Sequence, residues 1–374
     1  MKSLVFLFAL VPSLLFAQQT PVPPALAAKS WLLIESGSGQ VLASQAEDER
    51  LEPASLTKLM TAYLTFAAIR QGTLKLDQSV PVSEKAWRTG GSKMFIRVGT
   101  QVTVEDLIKG MIVQSGNDAC IALAEAVAGS EENFAQMMNR EARRLGMGAT
   151  HFRNATGLPD PEHYTTARDL ATLAGALIRD FPEEYARYYG IKEFRYNNIS
   201  QPNRNRLLWL DPTVDGMKTG YTEAAGYCLI ASAKRGPRRL LSVVLGTASD
   251  AVRAQESLKL LNFGYLSYDA VQLYASEQAV SHLKVWKGGA STVKAGFTED
   301  FILAVPKGFA QKVQADLVSK QPLIAPVSAG QTVGTMRVSV DGKFFGEYPV
   351  VALEGVPQAG ALGRAIDSVR LLFN

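Results

Sequence analysis

At Pro53 the chain changes its hydrophobic period, and a strand-forming stretch gives way to a helix. Before that point, Trp31-Leu32-Leu33-Ile34 and Gln40-Val41-Leu42-Ala43, separated by Ser36-Gly37-Ser38-Gly39, read as strand, turn, strand. After it, Leu56, Leu59, Met60, Tyr63, Leu64 and Ala67 recur at three-to-four spacing, which marks a core-facing helix. Proline is tolerated at such a start because its missing N–H would have no partner there anyway. Ser55-Leu56-Thr57-Lys58 stands at this join, so a hydroxyl and an amine three residues apart share one helix face. The unsatisfied N–H groups and positive dipole end of a helix start favour a developing anion.

Further along, Val104 to Val127 reads as helix with a break at Gln114-Ser115-Gly116, and Asn133 to Leu145 and Ala167 to Ile178 as further helices. Thr150 to Thr166 has the turn residues of a long surface loop, and its Asn154-Ala155-Thr156 sequon is taken as a chance match. Tyr227 to Ala233 and Leu240 to Leu245 flank Lys234-Arg-Gly-Pro-Arg-Arg239 as a hairpin, and a helix over about 250–266 closes this half. The expected fold class is α/β (α+β): an antiparallel sheet flanked by helices with an all-α subdomain. From 270 to 356, short alternating runs punctuated by Gly and Pro predict a second, small all-β sandwich domain. The tail, 357–374, reads as an amphipathic helix with Leu362, Ile366, Val369 and Phe373 in a stripe and Arg364 and Arg370 nearby. That pattern fits equally a helix in a membrane interface and one packed on the β domain.

The first 17 residues read as a secretory signal. Lys2 precedes an apolar run, Leu4 to Phe16, that is too short for a span of about 20 residues. Cleavage after Ala17 or after Ala27 both fit, an uncleaved anchor is the alternative, and the mature protein is expected outside the cytoplasm. With 374 residues, 47% hydrophobic and 20% charged, the chain is an ordinary globular protein of two or three domains. A formal charge of +4 without a basic stripe argues against nucleic acid. Cys120 and Cys228 read as core thiols, and the three scattered histidines give a Ser-His-Asp triad or a zinc site little support.

Ser-x-x-Lys occurs three times, at Ser55, Ser281 and Ser291, and alone it is more often a helix cap beside a solvated lysine. Only Ser55 is followed in order by Ser115-Gly116-Asn117 and Lys218-Thr219-Gly220. A serine hydroxyl needs a base within hydrogen-bond reach. A lysine serves only if its pKa falls from about 10.4 toward 7–8, which burial and a neighbouring cation can bring about. Lys218 is the natural neighbour. A hydroxyl at Ser115 can relay a proton between Lys58 and a leaving amine, and Asn117 can hydrogen-bond the lysine or a substrate amide. Lys218 and Thr219 can hold a substrate carboxylate, while Gly220 lets substrate lie along a strand edge. Each later triplet alone is equally well an ordinary turn.

Ser-x-x-Lys, Ser-Asp-Asn and Lys-Thr-Gly together are the signature of penicillin-binding proteins and class A β-lactamases, and the middle triplet here is Ser-Gly-Asn. The chain resembles the low-molecular-mass D-alanyl-D-alanine carboxypeptidases of the penicillin-binding protein 5 group. The likeness covers PASLTKLMTAY (53–63), LIKGMIVQSGNDAC (107–120), TTARDLATLAGALIRD (165–180), NRNRLLW (203–209) and VDGMKTGYTEAAGY (214–227), and extends over nearly the whole mature chain. It implies Ser55 as acyl-ester nucleophile, Lys58 as its base, Ser115 and Asn117 as relay and substrate contacts, and Lys218, Thr219 and Gly220 as the carboxylate site. Arg204 and Arg253 match arginines near the family's site. A peptidoglycan pentapeptide ending in D-Ala-D-Ala as substrate, covalent β-lactam binding, no metal or cofactor, and peripheral attachment to the outer face of the cytoplasmic membrane are implied likewise. The segment Trp87 to Phe95 looks shorter than the family's corresponding loop, which is associated with deacylation, and this leaves the rate of β-lactam release open. Tyr221 stands where some relatives have histidine.

Three rival readings use the same residues. A class A β-lactamase needs a deacylating Glu between the second and third triplets, and Glu162, Glu183, Glu184 and Glu193 fall there without the usual Glu-x-x-x-Asn setting. A DD-endopeptidase carries identical triplets. A non-catalytic wall-binding module would retain them as relics.

Overall fold

The computed structural model describes residues 21–373, so the signal read at 1–17 lies outside the described residues. One sheet of five antiparallel strands organises the N-terminal half. Its order is Val41–Gln45, Ser30–Glu35, Arg238–Thr247, Gly226–Arg235, Val214–Thr222, so strands from both ends of the domain lie side by side. The Val214–Thr222 strand, which carries Lys218-Thr219-Gly220, is an edge: it pairs with Gly226–Arg235 on one side only.

A single 3-10 turn, Ala54–Thr57, precedes the Lys58–Arg70 helix. That helix buries Leu59, Met60, Ala62, Tyr63, Leu64, Phe66 and Ala68, far more than one stripe, because it runs through the largest hydrophobic cluster. A lysine at its first position therefore starts inside the protein. Around it pack Val104–Val113, Asn117–Ala128, Glu131–Arg144 and Ala167–Asp180. Side chains mark their beginnings: Thr103 accepts from Asp106 N, Ser130 from Asn133 N, Thr166 from Asp169 N, and Ser249 from Val252 N at the Asp250–Ser267 helix. The break expected at Gln114 to Gly116 falls between the Val104–Val113 and Asn117–Ala128 helices.

The Asp250–Ser267 helix leads without a linker into the Tyr268–Tyr274 strand, which pairs with Phe301–Pro306. A six-stranded sheet faces that pair across a core of Val293, Leu303, Val305, Val333, Met336, Val338 and Val350. The two halves are laced together through Gln40 and the Val41–Gln45 edge strand of the five-stranded sheet. The Gln40 carboxamide both donates to Ala304 O (2.8 Å) and accepts from Ala304 N (3.1 Å), and Tyr268 Oη donates to Leu42 O (2.9 Å).

The tail helix, Ala361–Arg370, buries none of its residues. Leu362 and Leu372 are 77% and 81% exposed, and Ile366 and Val369 are exposed beside them. The Asp367 carboxylate accepts from Lys287 N of the β domain (2.7 Å), which fixes the helix while its apolar face stays uncovered. Packing of that stripe on the β domain is thus not what the structure adopts. Among the described residues no helix is long and apolar enough to cross a membrane.

Candidate active site

Beside the sheet edge lies a cleft of about 850 Å³ lined by Ser55, Ser115, Asn117, Arg204, Thr219, Gly220, Tyr221 and Arg253, among others. All three triplets meet there. Ser55 is half-buried at the cleft floor, whereas Lys58, one turn on, is only 2% exposed. The 3-10 turn brings residues three apart directly over one another. Lys58 Nζ lies 2.9 Å from Ser55 Oγ, 2.7 Å from Asn117 Oδ1 and 2.6 Å from Thr156 O. An ammonium donates to all three, and a neutral amine fits the same partners. In the neutral form two N–H bonds serve the two carbonyl-type acceptors, which cannot donate in return, and the lone pair is left for the Ser55 hydroxyl proton.

Burial, reinforced by the Arg204 guanidinium, pulls the Lys58 pKa below the ordinary lysine value. Lys218, also buried, is held well below it by burial first and then by the Lys58 and Arg204 cations. The Lys58–Lys218 repulsion expected from sequence is thus present, and Arg204 adds a second cation that the sequence reading did not assign to this role. Ser115 is placed differently from its expected link to Lys58. Its Oγ accepts from Lys218 Nζ at 2.9 Å, and Lys218 also donates to Thr219 O (2.9 Å). The site therefore holds two lysine–serine pairs facing one another, Lys58–Ser55 and Lys218–Ser115.

Arg253 is buried, donates to Gly220 O (3.1 Å), binds Asp250, and lies over the Tyr227 ring at 5.5 Å. It braces the strand edge from behind. Arg204 is exposed on the cleft wall. At Gly220 a side chain would stand 3.2 Å from both Ala54 Cβ and Pro53 O, so this glycine lets the edge strand close onto the serine turn, in addition to leaving the edge clear. Tyr221, half exposed on the cleft wall, lies 4.3 Å from Tyr227 ring to ring.

The Thr150–Thr166 stretch corrects the sequence reading most. It is a loop, but Phe152, Ala155, Thr156, His163, Thr165 and Thr166 are buried, and it supplies the Thr156 carbonyl to Lys58. Gly157 lets it approach. Its φ is +82°, and a Cβ there would sit 1.8 Å from Ala54 O. His163 ties the loop to the serine turn: Nδ1 accepts from Arg153 N (3.4 Å), which leaves the Nε2 proton for Thr57 Oγ1 (2.9 Å). Burial drives the His163 pKa down to about 4, so the imidazole is neutral in this role. A lone histidine in a polar loop carries no sequence mark of such a contact. The Glu193–Tyr196 and Ile199–Pro202 hairpin was also missed, and Ser200, Gln201 and Pro202 form one wall of the cleft. None of Glu162, Glu183, Glu184 or Glu193 lines it. Cys120 and Cys228 are free and buried, and burial pushes their thiols up to about 12 and about 11.

Comparison with known proteins converges on one family. A model of D-alanyl-D-alanine carboxypeptidase matches residues 17–249, and a model of the penicillin-binding protein 5 C-terminal domain matches residues 268–358. D-alanyl-D-alanine carboxypeptidase DacC of Escherichia coli K12 is 44% identical over 377 residues, covering 99% of this chain and 94% of the relative. DacF of Bacillus subtilis 168 is 38% identical over 339 residues, covering 89% and 87%. The crystal structure of penicillin-binding protein 5 from Haemophilus influenzae superposes with a TM-score of 0.79 at 39% identity, over 90% of this chain and 99% of that one. With both parts of its length matched in this way, the chain belongs to the serine D-alanyl-D-alanine carboxypeptidase family, in the group of penicillin-binding protein 5.

Proposed function

We propose that Ser55 is the nucleophile, Lys58 its base, and the cleft the seat of a peptidoglycan stem peptide ending in D-Ala-D-Ala. The observation that carries this is the Lys58 amine with two acceptors and one hydroxyl around it. Ser55 Oγ–H passes its proton to Lys58 Nζ as Oγ attacks the penultimate D-Ala carbonyl. The C–N bond then breaks; the departing D-Ala amine takes a proton through Ser115, and the proton that Lys58 gained makes up that loss, so Lys58 is neutral again when water enters. Water, deprotonated by Lys58, hydrolyses the ester and returns the Ser55 hydroxyl. Lys218, Thr219, Arg204 and the strand edge at Gly220 receive the terminal carboxylate and backbone of the peptide. A β-lactam acylates Ser55 by the same attack, its ring C–N bond opening while the leaving nitrogen stays attached.

The division of labour follows the chain: residues 25–266 do the chemistry, 270–356 form the all-β domain, and 357–374 meet the membrane surface from the periplasmic side. The uncovered Leu362, Ile366, Val369 and Leu372 support the last assignment. In a vesicle flotation assay with anionic phospholipid, the mature chain is expected to float. Leu362→Asp with Val369→Asp is expected to weaken binding by about tenfold or more while D-Ala release is unchanged. Equal flotation of both chains would remove the membrane assignment.

Product analysis tests the function itself. Incubation with a pentapeptide stem is expected to release free D-Ala, with crosslinked dimers left intact. Cleavage of dimers without D-Ala release would make the enzyme an endopeptidase, and sustained nitrocefin turnover would make it a β-lactamase. Absence of any penicillin adduct on Ser55 would leave a wall-binding module.

A further inference from the structure

Asp118 follows the Ser-Gly-Asn motif directly and is completely buried. Its carboxylate is satisfied by backbone N–H groups. Oδ1 accepts from Met94 N (3.0 Å) and Ala119 N (2.9 Å), and Oδ2 from Phe95 N (2.9 Å) and Ile96 N (3.2 Å). Three successive amides converging on one anion form a nest. Such a nest needs a left-handed residue within it, and Phe95 takes that conformation at φ +68°, unusual for a bulky side chain. Buried charge thus holds an otherwise unfavourable bend.

The same segment reaches the catalytic groups a few residues upstream. Ser92 O accepts from Asn117 N (2.7 Å), and Gly90 O accepts from Asn117 Nδ2 (2.7 Å). The second contact decides which way the carboxamide faces. With its N–H2 engaged by Gly90, Oδ1 is left toward Lys58 Nζ (2.7 Å). A flipped amide would set N–H against N–H and take one of the two acceptors away from the lysine, freeing an N–H to compete with the lone pair for Ser55.

We infer that Asp118 is a positioning residue for acylation: by gathering the Met94–Ile96 amides it places the Gly90 and Ser92 carbonyls, which hold the Asn117 oxygen on Lys58. This rests on Lys58 being the base of Ser55.

Two variants approach the link from opposite ends. Asp118→Asn puts an N–H2 against backbone N–H groups and loosens the nest. Gly91→Ala leaves the core untouched, but its Cβ would stand 2.7 Å from Asn117 Nδ2 at a φ of +77°, so it displaces the carboxamide from the loop side. Stopped-flow acylation of the mature chain by a fluorescent penicillin separates initial binding from the chemical step. Each variant is expected to lower the acylation rate constant by about 10- to 100-fold, with the binding constant within about twofold. In an Asn117→Ala background each is expected to change the rate by less than about twofold, because the group they position is gone. Either variant acylating at the wild-type rate, or losses that multiply with Asn117→Ala, would overturn the inference. Should Asp118→Asn fail to fold, Gly91→Ala and its double variant decide alone. Wild-type acylation by Asn117→Ala itself, or by Ser55→Ala, would instead sink the site reading beneath it.

Discussion

Replacing Ser55 by alanine is expected to abolish both D-Ala release and the penicillin adduct, with a fall in kcat of at least about a thousandfold. The fold should be unaffected, since Ser55 Oγ is hydrogen-bonded to Lys58 Nζ and the serine is only half-buried. Removing it leaves Lys58 with two satisfied acceptors, Asn117 Oδ1 and Thr156 O. The alanine enzyme should therefore still bind the peptide non-covalently in the cleft. Intact-mass spectrometry after incubation with penicillin gives the readout. A protein-plus-β-lactam mass in the wild type and only the protein mass in the variant is the expected pair. An adduct surviving in Ser55→Ala would place the nucleophile elsewhere. Following the wild-type adduct over time reports its release as well, the property that the Trp87 to Phe95 segment leaves open.

Lys58→Arg is expected to lower acylation by about 10²–10⁴-fold. Arginine retains the charge but presents no lone pair near neutral pH, so it can fill the space without taking the proton. The accompanying pH profile has a definite sign. Acylation rises with pH as Lys58 loses its proton, and burial together with Arg204 sets that limb below the ordinary lysine value. Asp118 acts in the opposite direction, raising the Lys58 pKa. Removing the cation, in Arg204→Gln, should stabilise the ammonium form and move the limb to higher pH. Rapid-mixing acylation by penicillin across the pH range measures it. A limb that stays in place or moves lower in Arg204→Gln would assign it to another group.

Much of this was legible before folding. The strand-to-helix change at Pro53, the break at Gln114 to Gly116, the hairpin of Tyr227 to Ala233 with Leu240 to Leu245, and the β texture beyond 270 all arise from short-range periodicity and turn chemistry. The three triplets were legible as an ordered set, and the family likeness is full length. Less visible were partners whose role is carried by main chain. The Thr156 carbonyl, the Gly90 and Ser92 carbonyls and the Met94–Ile96 amides belong to every residue alike, so no residue type announces them. The Thr150–Thr166 stretch looked like a surface loop because its composition is polar. Its polarity instead serves buried and part-buried hydrogen bonds such as His163 to Thr57 and Thr150 to Asp169.

Sequence by itself determined which groups are present and in what order: a serine and a lysine one turn apart, a second serine with an asparagine, and a second lysine on a strand. Those are local matters of spacing. Only the tertiary structure decided how they pair. Ser115, expected as a relay from Lys58, is hydrogen-bonded to Lys218, and Arg204 on the cleft wall joins Lys218 as a cation acting on Lys58. The physical reason is that a lysine's pKa and the direction of its lone pair depend on burial and on acceptors from distant segments. Asn117 and Thr156 lie 59 and 98 residues from Lys58 in sequence, yet they touch it once the buried helix has placed that amine inside the protein.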